Sequence, residues 1–301
     1  MSPIKRVNSF LAALLLSACT EGQKVGSEQK STSPTTSVQM FLGQPVADSV
    51  ASPPLPFDED CLAPVGICWY EINKRFSEPD LPSVTLSHNG SELLQLDDVG
   101  RISTVVEEAQ GRLVEQVTLN VRGLPDNSPH AEQKAFVYQL LNRLQTGGWA
   151  HFYRFPAPRI PGSEASRINT ADKVLGKRVL DHPWFDPRYE ASLEQWLGSS
   201  NTYHWYFYQD HTYLHVTVQR SNSRSEPEEK GTYLISLELL TENAYWSQHF
   251  SEEQQKDWQQ LLPALLDQYH EQRSQLEAEA QAAGIEIEDS YENPPIKALE
   301  P

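Results

Sequence analysis

The chain has no apolar run approaching the roughly 18–20 residues that a membrane span requires, which excludes a multispan membrane protein. Positive charge is sparse: 24 Lys+Arg stand against 41 Asp+Glu in 301 residues, a formal net charge of −17. That balance argues against nucleic acid as a partner, since such binding is driven by Lys and Arg displacing counterions from phosphates. Cysteine is scarce, with 3 in all, and none are spaced C-x-x-C. Gly-x-Ser-x-Gly, His-Glu-x-x-His, a phosphate-cradling loop and a dinucleotide fingerprint are all absent. No catalytic, cofactor-binding or metal-ligating residue is therefore assigned, and the chain is read as a non-enzyme. A linear scan does not see a triad, whose members are neighbours only in space. Against full disorder, 39% of residues are hydrophobic and 10% aromatic.

At the N-terminus, Lys5 and Arg6 precede the apolar stretch Phe10 to Leu16, and Ser17-Ala18-Cys19 follow. This order is that of a secretory signal, too short to span a bilayer stably. Leu16-Ser17-Ala18-Cys19 resembles the bacterial lipobox. The resemblance implies a signal peptide over 1–18, acylation (palmitate included) of Cys19, and a membrane contact made through that lipid. Thr20, where an aspartate would signal retention, implies an outer-membrane protein facing the periplasm. Removing 1–18 takes away Lys5 and Arg6 and no acid, moving the net charge from −17 to −19. Cys61 and Cys68 then remain as an even pair in an oxidising compartment, which predicts a structural disulfide.

Residues 19–57 hold the lipidated cysteine and then a stretch rich in Ser, Thr, Gln and Pro, which reads as a flexible tether. The folded region is expected over 58–285, with an acidic tail at 286–301. Ser83 to His88 and Glu92 to Asp97 flank Asn89-Gly90, a strong hairpin signal, and Arg101 to Val106 and Arg112 to Val121 extend the pattern to a four-strand meander. A helix follows, capped by Ser128 with Pro129 at its first position and Phe136, Leu140, Leu141 and Leu144 on one face. Trp149 to Phe155 reads as a strand and Tyr189 to Leu197 as a short helix. Ser251 to Gln254 is a capping box opening a long C-terminal helix that Pro263 should kink or split. The fold class is α+β, with antiparallel sheets and packed helices. Strands followed by a helix occur twice, an order compatible with two lobes at 58–160 and 185–285.

Thr202 to Tyr208 and Thr212 to Gln219 form a second hairpin about Asp210-His211, pairing Trp205 with Val216 and Phe207 with Leu214. One face is apolar. The other carries His204, Tyr206, Tyr208, Tyr213, His215 and Thr217, and two readings of it are open: an exposed interface, or a face covered by a helix. On the first, Tyr206, Tyr208, Tyr213 and His215 are the candidate partner-binding residues. His211-x3-His215 is no metal site on a strand, where these residues lie about 13 Å apart. His204 and His215 can sit diagonally across the ladder, but no third ligand is evident. Asp97-Asp98 and Asp58-Glu59-Asp60 read as solvated turns. Residues 154–188 are locally basic and 252–301 strongly acidic, which fits either internal pairing or an acidic surface steering a basic partner.

Gly147-Gly148-Trp149, through Tyr153 to Pro158-Arg159-Ile160-Pro161-Gly162, together with Tyr206 to Arg220, resembles immunity lipoproteins against lipase effectors of type VI secretion. The motifs are short, and no functional residue is carried over. The resemblance implies a tethered periplasmic protein that binds a toxic effector, such as a phospholipase, and blocks it. An envelope-maintenance or assembly lipoprotein is the alternative, and an envelope hydrolase with scattered acid and base is the third.

Overall fold

The computed structural model describes residues 36–51, 54–170 and 172–300. The expected signal peptide and Cys19 lie outside the described residues. β1 (Ser37–Leu42) buries Val38, Met40 and Leu42 and leads into the short helix α1 (Val46–Val50). β2 (Asp58–Leu62) and β3 (Ile67–Asn73) pair antiparallel, and the Cys61–Cys68 disulfide joins directly opposed residues. β4 (Ser83–His88) and β5 (Ser91–Leu96) turn at Asn89 and Gly90, whose φ angles of 50° and 80° place both in the left-handed region that a tight hairpin turn needs. β6 (Val99–Glu107) and β7 (Gln116–Val121) follow.

The two-residue β8 (Ser128–Pro129) precedes α2 (His130–Thr146), and β9 (Ala150–His151) comes after it. The small hairpin β10 (Lys173–Val174) and β11 (Lys177–Arg178) lies in a largely irregular segment that ends at α3 (Leu193–Gly198). β12 (Thr202–Gln209), β13 (Thr212–Asn222) and β14 (Lys230–Thr241) are long antiparallel strands. Three helices close the chain: α4 (Glu242–Ser247), α5 (Glu252–Gln255) and α6 (Trp258–Ala282).

The fold class is α+β, as the sequence predicts. One nine-stranded sheet runs β2-β3-β6-β7-β14-β13-β12-β9, with β8 also on β14, and a second sheet runs β1-β4-β5. The antiparallel β7–β14 ladder sets Leu119 opposite Leu237 and carries the large sheet through both proposed lobes, which are thus not separate. One face of that sheet is apolar. Ile102, Leu119, Leu237, Val216 and Trp205 lie on it and join Val137, Leu141 and Leu144 of α2 and Val38, Met40 and Leu86 of the smaller sheet in one core.

Several boundaries differ from expectation, each for a physical reason. The tether does not extend to residue 57: β1 pairs in parallel with β4, because Val38, Met40 and Leu42 alternate and are fully buried. The meander is divided between two sheets. Its chain turns out of the first at Asp98, which has φ 58° and pairs with Arg122. Asp58-Glu59-Asp60 is strand, not turn, though exposed. The helix after Pro129 begins at His130 without a side-chain cap, and Trp149 to Phe155 keeps only the two paired residues of β9. The short helix starts at Leu193, where Ser192 and Gln195 make a capping box. The Ser251 capping box opens α5, and the break falls at Lys256-Asp257, ahead of Pro263 inside α6. The C-terminal segment packs onto the body, with Ile285 and Ile296 buried and Glu288 bonded to Arg188.

The Cys61–Cys68 ring is short, so its constraint on the unfolded chain is modest. Replacing both cysteines with serine is expected to cost about 2–3 kcal/mol. Urea midpoints of the oxidised chain and the double variant at equal pH check this.

Candidate protein-binding face

Strand alternation that buries one face of the large sheet must turn every second residue to the other. The register lines up one residue per strand on that other face: Glu71, Ser103, Thr118, Glu238, His215 and Tyr206, from β3 to β12. All six are only partly buried, although most sit on interior strands. The neighbouring row adds Thr217 and Ser236, also part-exposed, with Asn120 buried beside Ser236 and donating to its hydroxyl, and Leu234 beyond it is 39% exposed. Side chains of central strands reach solvent only where no other layer covers the sheet.

At the β12–β13 turn the same face is covered. Tyr213 is 2% exposed and stacks on Tyr245 of α4 at 3.7 Å between ring centroids. The Tyr208 hydroxyl donates to the Pro295 carbonyl at 3.2 Å, beneath the C-terminal segment. The four candidate residues therefore separate: Tyr213 is buried, whereas Tyr206, Tyr208 and His215 are part-exposed, Tyr206 beside Arg154 and Tyr208 beside the C-terminal segment. The hairpin register is as expected, with Trp205 opposite Val216 and Phe207 opposite Leu214. Asp210 and His211 at the turn have φ of 44° and 56°.

Where open and covered parts meet there is a cleft of about 380 Å³ lined by Arg154, Tyr206, His215, Glu238, Tyr245 and His249, among others. The Arg154 guanidinium sits 3.9 Å over the Tyr206 ring and is held by Asp181 at 3.0 Å. Gln116 donates to Glu238 at 2.6 Å. Such aromatic, hydroxyl, imidazole and carboxylate groups on rigid strands suit recognition of another protein.

His204 and His215 do meet diagonally, with His204 Nδ1 2.9 Å from His215 Nε2. Thr217 Oγ1 is 3.1 Å from the same Nε2, and His215 Nδ1 is 3.7 Å from Glu238 Oε2. Hydroxyl, imidazole and carboxylate thus stand in the order of a nucleophilic triad. Two features oppose that use. A neutral imidazole nitrogen has one in-plane lone pair, and the shorter contact from His204 competes for it. The β13 amides are committed to ladders on both sides, so the strand offers no oxyanion donors beside Thr217. Among the described residues, the one cluster with metal-ligand spacing is Glu59, Cys61 and Cys68, whose sulfurs are joined to each other.

Much of the contrast between the basic and acidic segments is internal pairing. Arg159 bonds Glu277 at 2.7 Å and Arg188 bonds Glu288 at 2.6 Å, while Lys177 reaches Glu279 at 2.5 Å. Sequence reasoning missed Trp69, Thr118, Ser236, Glu238 and Arg154. The alternation in each strand was a signal for the first four, but only the strand order assembles them into one face.

Burial pushes the His204 imidazole down to about 4, with the neighbouring His215 and Arg154 adding to the effect. Burial likewise takes His182 to about 4 and lowers His88, His151 and His249. These rings are neutral when folded and protonate at the ordinary value of 6.5 when unfolded. Stability is therefore lost as pH falls from 6.5 towards 4. Urea midpoints should decline through that window, and less steeply in a His204→Gln/His182→Gln chain.

No protein-family model, curated protein or solved structure matches this chain.

Proposed function

We propose that this chain is a lipid-anchored, periplasm-facing lipoprotein of the outer membrane that acts by binding another protein, without catalysis of its own. Its most specific role is that of an immunity protein, which seats a toxic secreted effector such as a phospholipase on the open sheet face and blocks it. The observation that carries this is the part-exposed row Ser103, Thr118, Glu238 and His215 on interior strands of the large sheet, ending at Tyr206 beside Arg154. A rigid, half-polar surface with tyrosine and histidine at one end fits a binding role. The short motifs from Gly147 to Gly162 and the lipobox-like Leu16 to Cys19 support the placement and the partner class.

A second reading, an envelope hydrolase, draws on Thr217, His215 and Glu238 alone. A deletion strain separates the two. On the immunity reading, cells lacking the gene die in contact with wild-type siblings. The full chain rescues them, and so does a Thr217→Val chain. Rescue that fails with Thr217→Val, in a chain of unchanged unfolding midpoint that still captures the effector, would favour the hydrolase.

A further inference from the structure

The nine-stranded sheet ends at β2, and among the described residues no strand pairs with its outer side. All five of its residues are exposed. Cys61 and Cys68 lie 4.1 Å apart between Cα atoms, the close spacing of a non-hydrogen-bonded antiparallel pair. Cys61 therefore turns its N–H and C=O away from β3, and Glu59, two residues earlier, does the same. Two donors and two acceptors line the free edge.

Apolar side chains stand beside that edge. Leu62 is 53% and Val65 63% exposed, at the tip that the disulfide closes. Ile67 and Trp69 are only partly buried and share the face of Leu62 and Asp60, which they oppose across the ladder. Acids stand near them: Asp58, Asp60 and Glu107 are exposed, while Glu59 and Glu108 are matched by Arg112 at 3.2 and 3.8 Å. Among the described residues Asp58 and Asp60 form no ion pair, whereas Glu71 is matched by Arg101 at 2.8 Å.

We infer that the β2 edge is a docking site for an extended segment of a partner protein, one that adds as a further strand and alternates cationic with aliphatic side chains. This rests on the protein-binding reading above and gives the partner its chemistry. Backbone groups of Glu59 and Cys61 supply the hydrogen bonds, Leu62 and Trp69 the apolar contact, and Asp58 and Asp60 the preference for Lys or Arg. The acids also settle what does not dock. A second copy pairing edge to edge would set these acids near one another, and an anionic lipid surface would be repelled.

The test uses the full chain and two short capped peptides, one alternating Lys with Val and the other Glu with Val. Amide hydrogen exchange over residues 59–62 is followed by mass spectrometry. The Lys peptide should slow exchange there by about tenfold or more, and the Glu peptide should not. An Asp58→Lys/Asp60→Lys chain should bind the Lys peptide about tenfold more weakly with an unchanged unfolding midpoint. No slowing at millimolar peptide, equal slowing by both peptides, or full retention in the double variant would overturn the inference. The two proposals fail separately. Capture of an effector undisturbed by Asp58→Lys/Asp60→Lys sinks the edge site alone, whereas slowed exchange in a chain that captures no effector sinks the immunity role alone.

Discussion

Replacing Arg188 with alanine is expected to lower the unfolding free energy by about 3 kcal/mol. Asp186 is 3% exposed, and its carboxylate is held by the Arg188 side chain at 2.8 Å and by the Gly162 amide at 2.9 Å. Burial alone would raise its pKa, but hydrogen bonds from the Arg188 side chain and backbone amide, with the Arg188 charge, outweigh that and keep it below the ordinary aspartate value. The same guanidinium donates to Glu288 at 2.7 Å and to the Tyr153 hydroxyl at 3.1 Å. Truncation thus leaves a buried carboxylate without its cation and frees the C-terminal segment from one anchor. Arg188 is itself part-exposed, which places the cost at the lower end of the range for broken buried pairs. An added Asp186→Asn should recover part of the loss. Urea unfolding measures both, and faster proteolysis of residues 286–300 in the single variant would show the released segment. A loss below about 1 kcal/mol would mean that water already solvates Asp186.

The second large effect concerns binding and leaves stability alone. Thr118 lies at the middle of the open row, between Ser103 and Glu238. Thr118→Arg projects a long side chain from a central strand into the space a partner must fill, and should weaken effector binding about a hundredfold or more. The unfolding midpoint should hardly move, because the site already faces solvent and Glu71 and Glu238 lie along the same row. Asn142→Arg, on the exposed side of α2, is the control and should leave affinity unchanged. Loss of affinity in both variants would point to long-range charge rather than contact at the sheet.

Elements dictated by local chemistry were legible. Asn89-Gly90 turns where it should, and alternation from Tyr203 to Val218 carries the hairpin register residue for residue. The even cysteine pair left once Cys19 is set aside predicts the Cys61–Cys68 bond, and the structure joins those two residues. What was not legible depends on contacts distant along the chain. Leu119 meeting Leu237 fuses the supposed lobes, and nothing near either residue signals it. Alternation told which side chains share a face but not what lies on that face. Tyr206 and Tyr213 read alike in the sequence, yet Tyr213 is buried against Tyr245 while Tyr206 stays part-exposed beside Arg154. Internal pairing of the basic and acidic segments was one of the two readings, but not which residues meet: Arg159 with Glu277 and Arg188 with Glu288, at separations of 118 and 100 residues.

The most direct measurement is capture by the full chain from the envelope and secreted proteins of its own strain, in parallel with the Thr118→Arg chain. The account predicts one toxic enzyme recovered at near-equal stoichiometry, its activity suppressed in the complex, and absent from the Thr118→Arg capture. Recovery of an enzyme that stays fully active, or equal recovery by both chains, would contradict a blocking partner seated on the open sheet face.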